Sequence, residues 1–149
     1  QNVTLAEGGE DPFAVTEVPS FHDGQGGALR GPNTIRRFAA GGLPVAHLGD
    51  LGCQLTAEQV RALRPCDALL VPVGGFYTID AQGAKAVAEA LSPRVIVPMH
   101  YRTETFGLRE IDTVEPFLAL FSKELVRRYD ANRLELTADT PAQVAVLSV

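Results

Sequence analysis

The chain has 149 residues, of which 13 are Lys or Arg and 18 are Asp or Glu, so its formal net charge is −5. Binding nucleic acid requires a concentrated basic face, which this acidic chain lacks because its basic residues cluster only in pairs. No stretch reaches the roughly 18 apolar residues of a membrane helix, and the first residues resemble no signal peptide. We therefore expect one cytoplasmic globular domain that binds neither nucleic acid nor a membrane.

The two cysteines, Cys53 and Cys66, are expected to be free thiols. Disulfides form in oxidising compartments, and nothing in the sequence resembles a secretory signal. A thiol close to Asp50 could be a soft metal ligand, but a single cysteine is more often a small packed side chain, so we interpret Cys53 as packing.

Strands and helices alternate along the chain, which indicates α/β architecture. Two short strand-like segments flank Gly41-Gly42 and predict a β-hairpin. Residues 68–98 predict a strand–helix–strand unit, whose two strands should be parallel neighbours. The predicted strands are residues 15–18, 34–38, 45–48, 68–73, 95–97, 133–136 and 144–149.

Three helices are predicted from caps and apolar spacing. Thr56 followed by Gln59 is a capping-box pattern, and Pro65 should end that helix. Asp80 is the expected N-cap of the second helix, and a third is expected at 114–126. The apolar face of the second helix is predicted to comprise Ala84, Val87, Ala88 and Leu91.

His22, Asp50 and His100 each follow a predicted strand, and ligands collect at the carboxyl ends of strands in α/β sheets. Imidazole and carboxylate are suitable ligands for Zn²⁺, Mn²⁺ or Fe. Their spacing matches no local metal motif, however. Structural histidines and a turn aspartate remain alternatives. His47 should lie on the sheet face opposite Leu48, so a supporting role is favoured over a ligand role.

Several segments together resemble the metallo-β-lactamase superfamily, and more narrowly the bacterial metal-dependent hydrolases related to ascorbate-6-phosphate lactonase. The segments are Phe21-His22-Asp23, Arg30-Gly31-Pro32-Asn33, His47-Leu48-Gly49-Asp50-Leu51-Gly52, residues 71–80 and Pro98-Met99-His100-Tyr101. The resemblance implies an α/β fold with a mixed sheet flanked by helices. This sheet would be the C-terminal half of an αββα sandwich, with metal ions at one edge.

The resemblance also implies roles for individual residues. His22 would complete a first metal site, His100 would belong to a second, and Asp50 would bridge both metals and orient the attacking water. Two divalent metals are implied, Zn²⁺ ahead of Mn²⁺ or Fe. The implied reaction is hydrolysis of a small-molecule ester, lactone or phosphoester, with Asp50 as the candidate catalytic residue.

Five further residues are candidates for substrate contacts or for support of the metal ligands: Arg30, Asn33, His47, Tyr77 and Tyr101. Each has a simpler interpretation. Arg30 could be a solvated loop cation and Asn33 a turn residue. The two tyrosines could be amphipathic packing at strand ends.

The superfamily's His-x-His-x-Asp-His motif, which supplies further ligands, does not occur in these 149 residues. We therefore expect the chain to be a single domain that forms the C-terminal portion of a longer hydrolase. Metal occupancy and activity should be weak or absent in this portion alone. Its exposed apolar sheet face should cause homo-oligomerisation or association with the missing N-terminal half. The alternative is a non-catalytic interaction or regulatory domain that keeps the fold without a working metal site.

Overall fold

A computed structural model describes residues 14–148, within which it contains seven strands and three α-helices. The strands are β1 (Val15–Phe21), β2 (Pro32–Ala40), β3 (Leu43–His47), β4 (Ala68–Pro72), β5 (Val95–Met99), β6 (Val126–Arg128) and β7 (Gln143–Val146). The helices are α1 (Ala57–Leu63), α2 (Ala81–Leu91) and α3 (Glu115–Leu118), with a 3-10 turn at Lys123–Leu125. None of these helices is long and apolar enough to cross a membrane.

All seven strands form one mixed sheet in the order β1-β2-β3-β4-β5-β7-β6. β2 is antiparallel to both neighbours, and the remaining pairs are parallel. Consequently β1, β3, β4 and β5 all end at the same edge of the sheet. We call this the carboxyl edge, formed by residues 22–31, 48–53, 73–80 and 100–102.

The predicted hairpin and the two capped helices are confirmed. Ala40 pairs with Leu43 across Gly41 and Gly42, both at positive φ, as a tight hairpin turn requires. Thr56 and Gln59 form both bonds of the capping box, and the Gln59 amide also donates to the Pro19 carbonyl at 2.8 Å. This last bond ties α1 to β1. The Asp80 side chain accepts from Gly83 N–H, as expected for the N-cap of α2.

The two faces of the sheet are covered unequally. All three helices pack on one face and build the main core, which includes Leu63 of α1, Leu91 of α2 and Phe117 of α3. The other face carries a smaller cluster of buried strand residues: Val45, Ala68, Val95 and Ala145. On that second face, Leu70 and Val97 are only partly buried, although Tyr129, Leu134 and Leu136 pack against one end.

The predicted helix at 114–126 is wrong beyond its first turn. The α-helix ends at Leu118, and Ser122 is extended with ψ 145°. Val126 then begins β6, which pairs in parallel with β7. The apolar run looked helical because Phe117 and Phe121 do pack edge-to-face at 5.0 Å. Strand pairing at Val126 nevertheless outweighs the continuation of the helix.

The C-terminal strand predictions hold only in part. Residues 133–136 do not form a strand; Leu134 and Leu136 instead pack irregularly against the second face. Their alternation reflects burial of side chains without any pairing of the backbone. The last strand, predicted at 144–149, spans Gln143–Val146. Val149 lies outside the described residues.

Candidate metal centre

Two of the three predicted metal ligands meet at the carboxyl edge. Nε2 of His100 lies 3.0 Å from Oδ1 of Asp50, although the two residues are far apart in sequence. Asp50 follows β3 and His100 follows β5, on either side of β4. Both side chains are accessible, with relative exposures of 43% for His100 and 52% for Asp50. The pair therefore faces solvent at the edge of the sheet, where a ligand can reach it.

Asn33 holds the turn that carries Asp50. Its side-chain oxygen accepts the Asp50 N–H at 2.9 Å, and its amide group donates to the Leu48 carbonyl at 2.9 Å. The same amide group donates to Ser20 Oγ at 2.8 Å, which links the turn to β1. Asn33 lies in β2, so it is not a turn residue itself. Its side chain therefore joins the Asp50 turn to β1.

His47 lies directly before the same turn, on the sheet face opposite Leu48, as strand alternation predicts. Its Nδ1 accepts the Gly49 N–H at 3.1 Å. The pKa of His47 is lowered from 6.5, first by burial and next by the nearby His100 and Arg36. These effects favour the neutral imidazole, which is the form that can accept this bond at Nδ1.

His100 has a strained backbone and a closely packed neighbour. Its φ is +54°, in the left-handed region that non-glycine residues seldom occupy. A Cβ on Gly74 would lie only 2.1 Å from the His100 carbonyl oxygen, so the end of β4 approaches the end of β5 as only glycine permits. Backbone strain of this kind costs about 1–3 kcal/mol and is concentrated at functional sites.

His22, the third predicted ligand, packs against the Asp50 turn through its backbone. A Cβ on Gly52 would lie 2.2 Å from the His22 carbonyl carbon, and Gly52 N–H donates to the Phe21 carbonyl at 2.9 Å. The structure thus places His22 beside the residues that follow Asp50. It does not bring the His22 imidazole into a three-residue cluster with Asp50 and His100.

The loop after His22 is organised by the carboxylate of Asp23, which is only 2% exposed. Four backbone N–H groups donate to it, those of Gln25, Gly27, Leu29 and Arg30, over 2.7–3.0 Å. The Arg30 N–H bond contributes most to lowering the pKa of Asp23 to about 2; burial opposes this shift, and the other three bonds support it. Asp23 therefore fixes the path of the loop from His22 to Arg30.

Arg30 and Tyr77 meet at the carboxyl edge. The Arg30 guanidinium carbon lies 5.3 Å from the centre of the Tyr77 ring. Tyr77 also packs edge-to-face on Phe76, with ring centres 4.7 Å apart. This contact joins the loop after β1 to the loop after β4.

Tyr101 is oriented toward the C-terminal part of the chain. Its hydroxyl donates to the Leu147 carbonyl at 3.4 Å, and its ring packs against the main core. Burial raises the pKa of this phenol, although the positive charge of Arg128 acts against the shift. These contacts are those of a packed tyrosine at a strand end.

Both cysteines are free, as predicted. Cys53 packs against the main core, and its Sγ lies 3.8 Å from the Phe21 carbonyl oxygen. Cys66 is buried at 7% exposure, and burial raises the pKa of its thiol to about 11.

The donors at the carboxyl edge fit a divalent metal ion in chemistry and in access. A carboxylate oxygen and an imidazole nitrogen are ordinary ligands for Zn²⁺, Mn²⁺ or Fe, and both are exposed. Within residues 14–148, however, no three side chains of His, Cys, Asp or Glu converge closely enough to hold one ion. The described residues therefore offer Asp50 and His100 as a pair of ligands, not a closed cage.

The fold is that of an α/β protein with a carboxylate–imidazole pair at one edge of its sheet. Residues 7–100 match the family described as the beta-lactamase superfamily domain, and this chain belongs to that family. The chain is also 40% identical to a candidate Zn-dependent hydrolase of the metallo-beta-lactamase superfamily from Thermotoga maritima. That crystal structure superposes with a TM-score of 0.75, covering 89% of this chain and 63% of the other.

Curated relatives give the same grouping. A UPF0173 metal-dependent hydrolase from Archaeoglobus fulgidus is 34% identical over 106 residues, covering 67% of this chain and 45% of its own length. Another from Thermoplasma acidophilum is 39% identical over 79 residues, covering 53% of this chain and 34% of its own. This chain thus spans less than half the length of these relatives. The predicted superfamily and the mixed sheet flanked by helices are confirmed, whereas a relation to ascorbate-6-phosphate lactonase stays a prediction.

Sequence reasoning missed the role of Asp23 and of the close glycine contacts. Asp23 was seen only as part of a motif, yet it is the buried carboxylate that organises the adjoining loop. The signal was present in the Gly-rich stretch that follows, because such a stretch supplies free backbone N–H groups. Gly52 and Gly74 lie in the loops that follow β3 and β4, but only tertiary contacts show what each one approaches.

Proposed function

We propose that the protein is a metal-dependent hydrolase in which Asp50 and His100 bind metal at the carboxyl edge, together with His22. The observation that carries this proposal is the 3.0 Å contact between Nε2 of His100 and Oδ1 of Asp50, at the place where β3 and β5 end. The left-handed backbone of His100 supports it, because strain is retained where function needs it.

Metal bound at this edge would lower the pKa of a coordinated water and stabilise negative charge on the reacting group. Asp50 would contribute its exposed carboxylate, which Asn33 positions through the backbone. His100 would contribute Nε2, the atom already directed at Asp50. His47 would hold the Asp50 turn as a neutral imidazole that accepts from Gly49.

The substrate would be a small molecule with an ester, lactone or phosphoester bond, and Zn²⁺ is the metal we favour over Mn²⁺ or Fe. Two metal ions would need more ligands than the described residues offer. We propose that those ligands come from a segment outside these 149 residues, so that this chain by itself is weakly metallated and inactive. A cytoplasmic location stays a prediction.

The second face of the sheet supports the proposal of a partner. Leu70 and Val97 lie on this face and are only partly buried. A second layer on this face would remove their apolar surface from water, which stabilises a fold by about 25 cal/mol per Å². That layer would be another segment of the protein or a second copy of this chain.

The test is metal binding by the protein expressed from its complete gene. We expect Asp50→Asn and His100→Asn each to weaken Zn²⁺ binding at least about tenfold, because each removes one ligand. Chelator-sensitive hydrolysis of aryl esters and phosphodiesters should fall with it. Asp130→Asn, an exposed aspartate outside the carboxyl edge, is the control and should change neither. Unchanged Zn²⁺ affinity in both ligand variants would favour the non-catalytic interaction domain.

A further inference from the structure

Arg30 is a positive charge at the carboxyl edge, held by contacts from two loops. Its backbone is held by the Asp23 carboxylate, which accepts the Arg30 N–H at 2.7 Å. Its side chain rests on Tyr77, with 5.3 Å between the guanidinium carbon and the ring centre. Both ends of the residue are therefore fixed, unlike those of a solvated surface arginine.

The turn that carries Tyr77 is tied to both members of the Asp50–His100 pair. At its start, Gly74 packs closely against His100, because a Cβ on Gly74 would lie 2.1 Å from the His100 carbonyl oxygen. At its end, Ile79 N–H donates to the carbonyl of Leu51, the residue after Asp50, at 2.9 Å. A guanidinium stacked on Tyr77 therefore belongs to the same edge of the sheet as the pair.

This guanidinium keeps its charge available. Among residues 14–148, no carboxylate lies within 4.0 Å of it. Arginine stays protonated at any physiological pH, and its planar fork matches the two oxygens of a carboxylate or phosphate. Stacking on an aromatic ring uses one face of the fork and leaves its edge donors free.

The residues beside Arg30 and Tyr77 add an apolar margin. Leu29 is 63% exposed and Phe76 is 62% exposed, each directly before one of the stacked residues. Ligand-binding sites are lined mainly by apolar and aromatic side chains around a few placed polar groups.

We infer that Arg30, stacked on Tyr77, binds an oxyanion of the substrate, so that the hydrolase selects small molecules carrying a carboxylate or phosphate beside the bond that is cleaved. This inference rests on the proposed metal centre. It adds a substrate class and a residue that recognises it. A purely structural stack would hold the two loops together without distinguishing charged from neutral substrates.

The test uses matched hydroxamates on the Zn²⁺-loaded protein from its complete gene. A hydroxamate binds metal, so butyrohydroxamate reports the metal centre alone. Succinohydroxamate replaces its terminal methyl group with a carboxylate, and 3-phosphonopropionohydroxamate replaces it with a phosphonate. Titration calorimetry at low ionic strength gives the dissociation constants.

We expect at least one anionic hydroxamate to bind about tenfold more tightly than butyrohydroxamate, as a charge-assisted bond to arginine provides. The larger of the two gains identifies carboxylate or phosphate as the natural group. In Arg30→Met the ratio should fall to about one. In Arg30→Lys it should be intermediate, because the charge remains and the planar fork does not. Arg61→Met, an exposed arginine on α1, should retain the tenfold ratio.

Equal affinity for all three hydroxamates in the unchanged protein, or a ratio that persists in Arg30→Met, would overturn the inference and leave the metal centre standing. Failure of butyrohydroxamate itself to bind would instead refute the metal centre, and this inference with it. Arg30→Met leaves the backbone bond to Asp23 intact, so the loop should keep its path. An unchanged melting temperature checks this.

Discussion

At the scale of single residues, the site depends on contacts that only glycine allows. Gly74 and Gly52 each let two strand ends approach closely. A Cβ on Gly74 would lie 2.1 Å from the His100 carbonyl oxygen, and one on Gly52 would lie 2.2 Å from the His22 carbonyl carbon. The positions of His22 and His100 thus depend on the lack of a side chain at Gly52 and Gly74. Asn33 and His47 complete the arrangement by binding the backbone around Asp50.

Gly74→Ala should displace His100. Its Cβ would meet backbone, which cannot rotate away, so we expect the free energy of unfolding to fall by about 1–3 kcal/mol. Zn²⁺ affinity should fall with it, and urea unfolding and metal titration measure the two effects. Gly24→Ala is the matched control, because a Cβ there meets nothing within 4 Å. Equal stability of both variants would show that the β4 and β5 ends move apart freely.

At the scale of elements, the loop after β1 is ordered by a side chain instead of by regular backbone pairing. The Asp23 carboxylate accepts four N–H groups from residues 25–30, and this holds its pKa at about 2. The loop in turn delivers Arg30 to Tyr77. The Asp23 hydrogen bonds therefore help to fix where Arg30 lies.

Asp23→Asn should loosen this loop. An amide keeps one acceptor oxygen and turns an NH₂ group toward two of the four donors, so two N–H groups lose their partner. We expect a melting temperature lower by about 2–5 °C and faster proteolysis within residues 23–30. Asp130→Asn removes the same charge from an exposed position and is the control. Identical proteolysis of the two variants would contradict a structural role for Asp23.

At the scale of the whole molecule, the sheet has one face covered by three helices and one covered only in part. Tyr129, Leu134 and Leu136 pack against the second face, on which Leu70 and Val97 are only partly buried. This asymmetry is the basis of the proposal that a further layer covers the second face.

Residues 1–149 expressed alone should therefore self-associate. We expect sedimentation velocity to show dimers or larger species, and Leu70→Glu to raise the monomer fraction because it places a charge on the second face. Ala90→Glu, on the exposed side of α2, introduces the same charge and should leave the distribution unchanged. A folded monomer at all concentrations would refute this prediction.

Local signals predicted much of this fold. The capping box at Thr56, the N-cap at Asp80 and the Gly-Gly hairpin are each complete within a few residues, so the sequence alone was sufficient. The region after Val114 failed because its outcome depends on pairing between β6 and β7, which are separated by an irregular segment. The spacing of apolar residues cannot predict pairing with a strand that lies elsewhere in the chain.

The candidate site, like the fold, could be predicted only in part from the sequence. The sequence was enough to predict that His22, Asp50 and His100 follow strands, because residue type and strand ends are local properties. The folded chain was needed to show that Asp50 and His100 lie 3.0 Å apart, that Asp23 orders a loop and that Arg30 contacts the Tyr77 ring. Such contacts arise from sheet order and loop closure, which join residues far apart in the chain.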